Sequence, residues 1–181
     1  MLYIIIGIAV FVLLFILITY NKLVEYNNLV KEAFSTMDVY LKKRWDLIPN
    51  LVEVVKEYAK HEKDTLEKIS ELRASNYESM TADKKININE QLTKNILGIM
   101  TISSNFPELK ASQNFIDLSQ KLTKIEDEIA NSRKYYNGTV RILNNKIQMF
   151  PNSIVAHMFG FHTAKMFEAN MDEKKNIGVD L

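Results

Sequence analysis

Residues 112–149, SQNFIDLSQKLTKIEDEIANSRKYYNGTVRILNNKIQM, carry the clearest structural pattern in the chain. Apolar side chains recur there at steps of three and four residues, which places them on one face of an α-helix. The seven-residue alternation is typical of a helix packed against other helices, with Ser132 and Val140 as its two interruptions. Gly138 allows a local bend or a close helix contact. The stripe consists of Phe115, Leu118, Leu122, Ile125, Ile129, Tyr136, Leu143 and Ile147.

Three further helical patterns lie before this stretch, over about 22–46, 49–80 and 87–104. Pro49 is expected to separate the first two, because proline has no N–H and disfavours the α conformation of the residue before it. Four amphipathic helices with short connections predict an all-α protein, with an antiparallel up-and-down four-helix bundle over residues 22–149.

Local sequence signals set the expected helix ends. Asn87, with Glu90 three residues later, resembles a capping box that opens the third helix. The polar residues 82–85 before it are expected to be the least structured interior segment. Lys42–Arg44 are expected in the last turn of the first helix, where cations complement the partial negative charge of a helix end. A ligand site at this basic cluster is the less favoured interpretation.

The first 21 residues contain no charged side chain, and Leu2 to Ile18 is an unbroken run of apolar residues and glycine. A helix rises about 1.5 Å per residue, so roughly 20 residues cross a hydrocarbon core of about 30 Å. We predict that residues 1–21 form a transmembrane helix that continues into the bundle. A cleaved signal peptide is less favoured, because no basic residue precedes Leu2 and no small-residue cleavage site follows Ile18.

The distribution of basic residues predicts the orientation of this anchor. Lys22, Lys31 and Lys42–Arg44 follow the apolar run, and no lysine or arginine precedes it. The positive-inside rule then predicts a single-pass protein of the cell membrane, with its N-terminus outside and its bundle in the cytoplasm.

Composition excludes several classes of function. Lys and Arg number 23 against 22 Asp and Glu, so no net positive field attracts nucleic acid. The chain has no cysteine, which removes thiolate nucleophiles and zinc–thiolate sites. None of its three histidines follows a glutamate by three residues, as di-iron bundles require, and Thr65 stands where the second histidine of a zinc-protease motif would follow His61. We therefore expect no metal, no cofactor and no catalytic residue.

Several motifs in order along the chain resemble the LemA family. They are DVYLKKRWDLIPNLVE at 38–53, YAKHE at 58–62, PELKA at 107–111 and FGF at 159–161. Glu57 departs from the family's usual glycine. The resemblance implies a four-helix bundle behind a single N-terminal transmembrane helix, with a short N-terminus outside the cell. It implies no reaction.

Polar residues spaced by four, three and four form a second stripe on the fourth helix, from Glu126 through Ala130 and Arg133 to Asn137. We predict a polar seam at the edge of the core, and Arg44, His61 and Glu62 as its partners on neighbouring helices. Hydrogen bonds that fix the register of the helices are the favoured interpretation. A pocket for a small polar or peptidic ligand is the alternative.

Residues 150–171 form an apolar C-terminal segment. If each helix reverses the direction of the last, the fourth returns toward the membrane over about 57 Å, so this segment arrives near the membrane surface. It either lies in the membrane interface or docks a partner, or else it folds back over the end of the bundle. The residues concerned are Phe150, Ile154, Val155, Met158, Phe159 and Phe161. Residues 172–181 are expected to be a disordered tail.

The leading functional hypothesis is a non-enzymatic scaffold or adaptor, held by the lipid bilayer through residues 1–21 and binding a protein partner whose identity the sequence does not give. A ligand-binding or sensory bundle that uses the polar seam is the alternative. An enzyme ranks last, because no nucleophile elbow, phosphate-binding glycine loop or dinucleotide fingerprint is present.

Overall fold

The structure, a computed structural model, describes residues 1–58 and 63–167, with the backbone alone for 63–65. Every regular element in these ranges is helical, which confirms the all-α class. The elements are α1 (Leu2–Tyr58), α2 (Lys63–Leu72), a short 3₁₀ helix (Tyr77–Ser79), α3 (Ala82–Ser103), α4 (Pro107–Ala111), α5 (Gln113–Gln148) and α6 (Asn152–Met158). The predicted tail at 172–181 lies outside the described residues.

The N-terminal part of α1 is a candidate membrane-spanning segment. It is long and apolar enough to cross a bilayer. From Met1 to Ile18 its side chains are exposed, apart from the half-buried Phe15 and Ile16. The apolar helix of a soluble core would be buried instead, so this exposure agrees with an environment of lipid.

The predicted helix end near Pro49 is wrong, because α1 continues through Pro49 to Tyr58 as one helix of 57 residues. A proline in a helix interior costs about 3 kcal/mol. Burial of each large apolar side chain contributes roughly 1.5–3 kcal/mol. Ile48, Leu51 and Val55 are all at most 1% exposed, so the burial around the proline outweighs its cost.

The segment predicted as one helix over 49–80 is divided among several elements. The end of α1 occupies its first ten residues, α2 covers Lys63–Leu72, and the 3₁₀ helix follows at Tyr77–Ser79. Residues 59–62 lie outside the described residues.

The third helix begins five residues before the predicted start at Asn87. Thr81 is its N-cap, and the Thr81 hydroxyl accepts a hydrogen bond from the Lys84 N–H at 3.3 Å. The stretch 82–85 is therefore the first turn of α3 and not an unstructured segment, and the capping-box interpretation of Asn87 is wrong. Asp83 in this turn complements the positive end of the helix dipole.

The longest amphipathic helix, α5, begins and ends within one residue of the predicted 112–149. Its predicted stripe faces inward for the most part. Leu118 and Ile125 are half-buried, and Val140, which interrupts the pattern, is buried like the rest. The buried members are Phe115, Leu122, Ile129, Tyr136, Val140, Leu143 and Ile147.

The chain divides into two compact units at Pro49 and again at Ser119. The first contains Met1–Ile48 and Ser119–Met166, that is, most of α1, most of α5 and α6. The second contains, within the described residues, Pro49–Leu118 and Phe167. In the second unit α2 packs against α3, and α3 against α4.

Side-chain contacts between α1 and the C-terminal part of the first unit follow a consistent order. Arg44 meets Glu126, the Phe34 ring packs against the Tyr136 ring, and the Tyr20 ring packs against Phe159. In these three contacts, lower-numbered residues of α1 therefore meet higher-numbered residues of α5 and of the chain after α6.

Candidate functional site

A buried arginine lies on the core face of α1. Leu41, Arg44 and Ile48 are spaced by three and four residues, and each is at most 1% exposed. Arg44 Nη1 lies 2.6 Å from Glu126 Oε1 on α5. The Glu126 side chain is 32% exposed, so solvent reaches the glutamate of the pair but not the arginine. A buried guanidinium requires such a partner, because unpaired burial of a charge is costly.

The structure brings together two of the six residues predicted for the polar seam, Arg44 and Glu126. Arg133 and Asn137 are half-buried on the same helix, α5. They follow Glu126 at about 10 and 16 Å along the helix axis, at the standard helical rise. His61 and Glu62 lie outside the described residues, so their part in the seam stays a prediction.

The basic cluster 42–44 does not lie at a helix end, because α1 continues for more than three further turns. The predicted role of complementing a helix terminus is therefore wrong. Each side chain has its own interaction instead. Lys42 forms an ion pair with Asp46 at 2.7 Å, and the Lys43 ammonium lies 5.3 Å from the centre of the Tyr40 ring. Arg44 pairs with Glu126.

The C-terminal segment contacts α1 where the apolar run ends. The Tyr20 ring lies 4.8 Å from the Phe159 ring and 5.8 Å from the Phe161 ring, measured between centroids. Both separations are in the range of favourable aromatic pairs. The segment therefore lies beside the predicted membrane exit of the anchor.

Two polar side chains of α5 hold the chain that follows α6. The Asn144 amide donates to the Ala164 carbonyl and accepts from the Ala164 N–H, both at 2.9 Å. The Tyr136 hydroxyl donates to the Lys165 carbonyl at 2.9 Å. These roles could not be predicted from the sequence, since an asparagine in a helix gives no local sign of a distant backbone partner.

Apolar side chains of α6 and its flanks remain exposed although the segment is held in place. Val155 is buried and Phe161 is half-buried, whereas the other four predicted residues are exposed. Their exposed fractions are 80% for Phe150, 60% for Ile154, 57% for Met158 and 49% for Phe159. We call these four residues the exit cluster.

A second exposed apolar row runs along α5, and onto the residue that follows it, beside the core stripe. Tyr135, Ile142 and Met149 are seven residues apart and are 55%, 43% and 56% exposed. We call these three residues the α5 row. A seven-residue period keeps side chains on one face of a helix, as in helix pairs.

No metal site is found among the described side chains of residues 1–58 and 66–167, where no three His, Asp or Glu side chains gather as ligands. One pKa shift is clear in the part of the chain that the structure describes. The hydrogen bond from Lys22 to Glu25, at 2.8 Å, raises the pKa of the Lys22 amine.

Within the described residues, these features define an all-helical protein with one candidate membrane-spanning helix and a polar pair in its core. The model of the LemA family matches residues 33–181, so the chain belongs to the LemA family. This confirms the resemblance found in the sequence.

Two kinds of curated relative are similar to this chain. Protein LemA of Metamycoplasma hominis is 26% identical over 160 residues, which cover 87% of this chain and 72% of that protein. Magnetosome proteins MamQ 1 and MamQ 2 of Paramagnetospirillum magneticum are each 23% identical over 179 residues, which cover 84% of this chain. The chain spans 66% of the length of each MamQ protein.

Proposed function

We propose that this LemA family protein is a non-enzymatic membrane scaffold. Residues 1–21 span the cell membrane once, with the N-terminus outside, and the bundle in the cytoplasm binds a helical partner protein. The observation that carries this role is the α5 row, because a helix surface with apolar side chains at a seven-residue period is suited to another helix.

The architecture proposed for the bundle is antiparallel and up-and-down. It is supported by the order of contacts in the first unit, from Arg44–Glu126 through Phe34–Tyr136 to Tyr20–Phe159. The stripe of α5 supports it too, since helices with such stripes pack side by side in bundles.

The C-terminal segment in this proposal lies in the membrane interface. The exit cluster is apolar and exposed, and Phe159 packs against Tyr20, two residues after the end of the apolar run. Aromatic and apolar side chains at this level favour the boundary between headgroups and acyl chains. The segment would thereby hold the end of α5 against the bilayer.

Two single-cysteine variants test the orientation, since the chain has no cysteine of its own. A cysteine inserted between Met1 and Leu2, and separately Lys43→Cys, are placed in the full-length protein and treated in intact cells with a membrane-impermeant maleimide. We expect labelling of the N-terminal cysteine in intact cells and of position 43 only after the cells are opened. The reverse pattern would overturn the proposed orientation.

Crosslinking in living cells, followed by mass spectrometry, tests the scaffold role. The full-length protein is compared with Tyr135→Ser/Ile142→Ser, and Leu97→Ser serves as a control because Leu97 is similarly exposed, at 55%, on α3. The scaffold proposal expects a reproducible partner that the double variant loses and the control keeps. Equal capture by all three proteins would remove the α5 row as the binding surface.

A second candidate function is a sensory bundle that binds a small polar or peptidic ligand at the polar seam. The observation that favours it is the Arg44–Glu126 pair, which holds a buried cation beside a carboxylate that solvent reaches. Arg133→Ala separates the two functions. The sensor loses ligand binding while it stays folded, whereas the scaffold keeps its partner.

A further inference from the structure

A crevice of about 270 Å³ opens where α1 leaves its apolar run, beside the last turn of α5 and the first residue of α6. Phe15, Ile18 and Leu23 give it apolar walls, and Asn152 also lines it. Lys22 and Lys146 enter it from two different helices. All of these residues belong to the first compact unit.

The charge of this crevice is positive. Lys22 forms an ion pair with Glu25 at 2.8 Å. Within the described residues, Lys146 has no ion-pair partner. Two cations therefore meet one carboxylate. Lys146 also lies in the last turn of α5, where it complements the helix dipole, but that role does not require a second lysine beside an apolar wall.

The depth of the crevice matches the headgroup layer of a bilayer. Leu2–Ile18 contains 17 residues, which span about 25 Å as a helix. Lys22 follows Ile18 by four residues, or about 6 Å. The headgroup region adds roughly 5–8 Å on each side of the hydrocarbon core. Phe15 and Ile18 therefore lie at the level of the acyl chains, and Lys22 lies at the level of the phosphates.

We propose that this crevice binds one anionic phospholipid. Its phosphate contacts Lys22 and Lys146, and the part of one acyl chain next to the headgroup lies on Phe15 and Ile18. The site rests on the proposed membrane anchoring of residues 1–21. Its volume is slightly below the roughly 300–1,000 Å³ of pockets that enclose a whole small molecule. It therefore suits a headgroup whose remaining chains stay in the bilayer.

The test uses the full-length protein reconstituted in vesicles of phosphatidylglycerol and phosphatidylcholine in equal amounts, with identical acyl chains. The protein is extracted in mild detergent, and the phospholipids that remain bound are quantified by mass spectrometry. We expect phosphatidylglycerol to be retained in preference to phosphatidylcholine. Lys22→Gln/Lys146→Gln should lower that retention by about 25-fold, at about fivefold for each lysine near an anionic surface. Soluble glycerol phosphate added in excess should not displace the lipid, because it lacks the acyl chain.

Matched variants test whether lipid retention depends on the two lysines of the crevice and not on any two lysines of the same helices. Lys31→Gln/Lys134→Gln removes one exposed lysine from α1 and one from α5, both outside the crevice, and should retain the lipid as the unmodified protein does. Lys22→Arg/Lys146→Arg should also retain it. Equal retention of both lipids, or a loss shared by the two Gln pairs, would overturn the proposal.

An alkaline carbonate wash of the same vesicles distinguishes a failure of the membrane anchoring from a failure of the lipid site. A protein released by the wash refutes the membrane span and the lipid site together. A protein that resists the wash but shows no preference for phosphatidylglycerol refutes the lipid site alone.

Discussion

Arg44 of α1 and Glu126 of α5 are 82 positions apart in the chain, and their charged groups approach to 2.6 Å. Only 1% of the arginine side chain is exposed, against 32% of the glutamate side chain. The arginine is therefore the member that depends on the pair, because its charge has left water almost completely. The glutamate keeps part of its hydration. This asymmetry predicts which substitution is costly.

Glu126→Gln should lower the free energy of unfolding by about 2 kcal/mol. Loss of one partner from a fully buried pair costs about 3–5 kcal/mol, and the exposure of Glu126 reduces that figure through solvent screening. The measurement is thermal unfolding of the full-length protein in detergent micelles, followed by circular dichroism at 222 nm.

Glu128→Gln is the control for this substitution, since Glu128 is exposed on the same helix two residues further on. It should change stability by less than about 0.5 kcal/mol. If both variants melt alike, the ion pair contributes nothing to the stability of the fold.

Pro49→Ala should stabilise the protein by about 1–2 kcal/mol. Proline within a helix costs about 3 kcal/mol relative to alanine. Proline also lowers the conformational entropy of the unfolded chain, which offsets part of that cost. The substitution also distinguishes two structures. In the first turn of a separate helix proline is favourable, so alanine there would be neutral or destabilising. A lower melting temperature for Pro49→Ala would therefore contradict a continuous α1 and support a break at this position.

The helices that could be predicted are those with periodic apolar patterns and clear punctuation. The bounds of α5 follow from its stripe, which Pro107 precedes and Pro151 follows. The passage of α1 through Pro49 could not be predicted, because it depends on the burial of Ile48, Leu51 and Val55. Local propensity gives way there to tertiary packing.

Thr81→Ala should destabilise the protein by about 1 kcal/mol, since Thr81 caps the first turn of α3 through the Lys84 N–H. Thr101→Ala is the matched control. Thr101 is an exposed threonine of the same helix whose hydroxyl bonds the Leu97 carbonyl within the helix. Thermal unfolding of the two variants compares them directly. An equal response would mean that the cap does not stabilise α3.

The polar part of the candidate site was only partly predictable for a related reason. Glu126 stands on the polar stripe predicted for the fourth helix, and Arg44 was predicted as its partner on a neighbouring helix. Asn144 offers no such signal, because its partner is the backbone of Ala164, which no side-chain pattern encodes. Such contacts become visible only when the path of the chain after α6 is known.

Asn144→Ala should release the chain that follows α6 without unfolding the helices. Two hydrogen bonds join the Asn144 amide to the backbone of Ala164, each contributing about 0.5–1.5 kcal/mol. Their loss should increase the hydrogen-exchange rate of the Ala164 amide by about tenfold to a hundredfold, while amides within α5 stay protected. Asn145→Ala, at the exposed neighbouring position, should leave the exchange rate of Ala164 unchanged. Unchanged exchange in Asn144→Ala would show that the Tyr136 hydroxyl and the ring contacts of Tyr20 suffice to hold the segment.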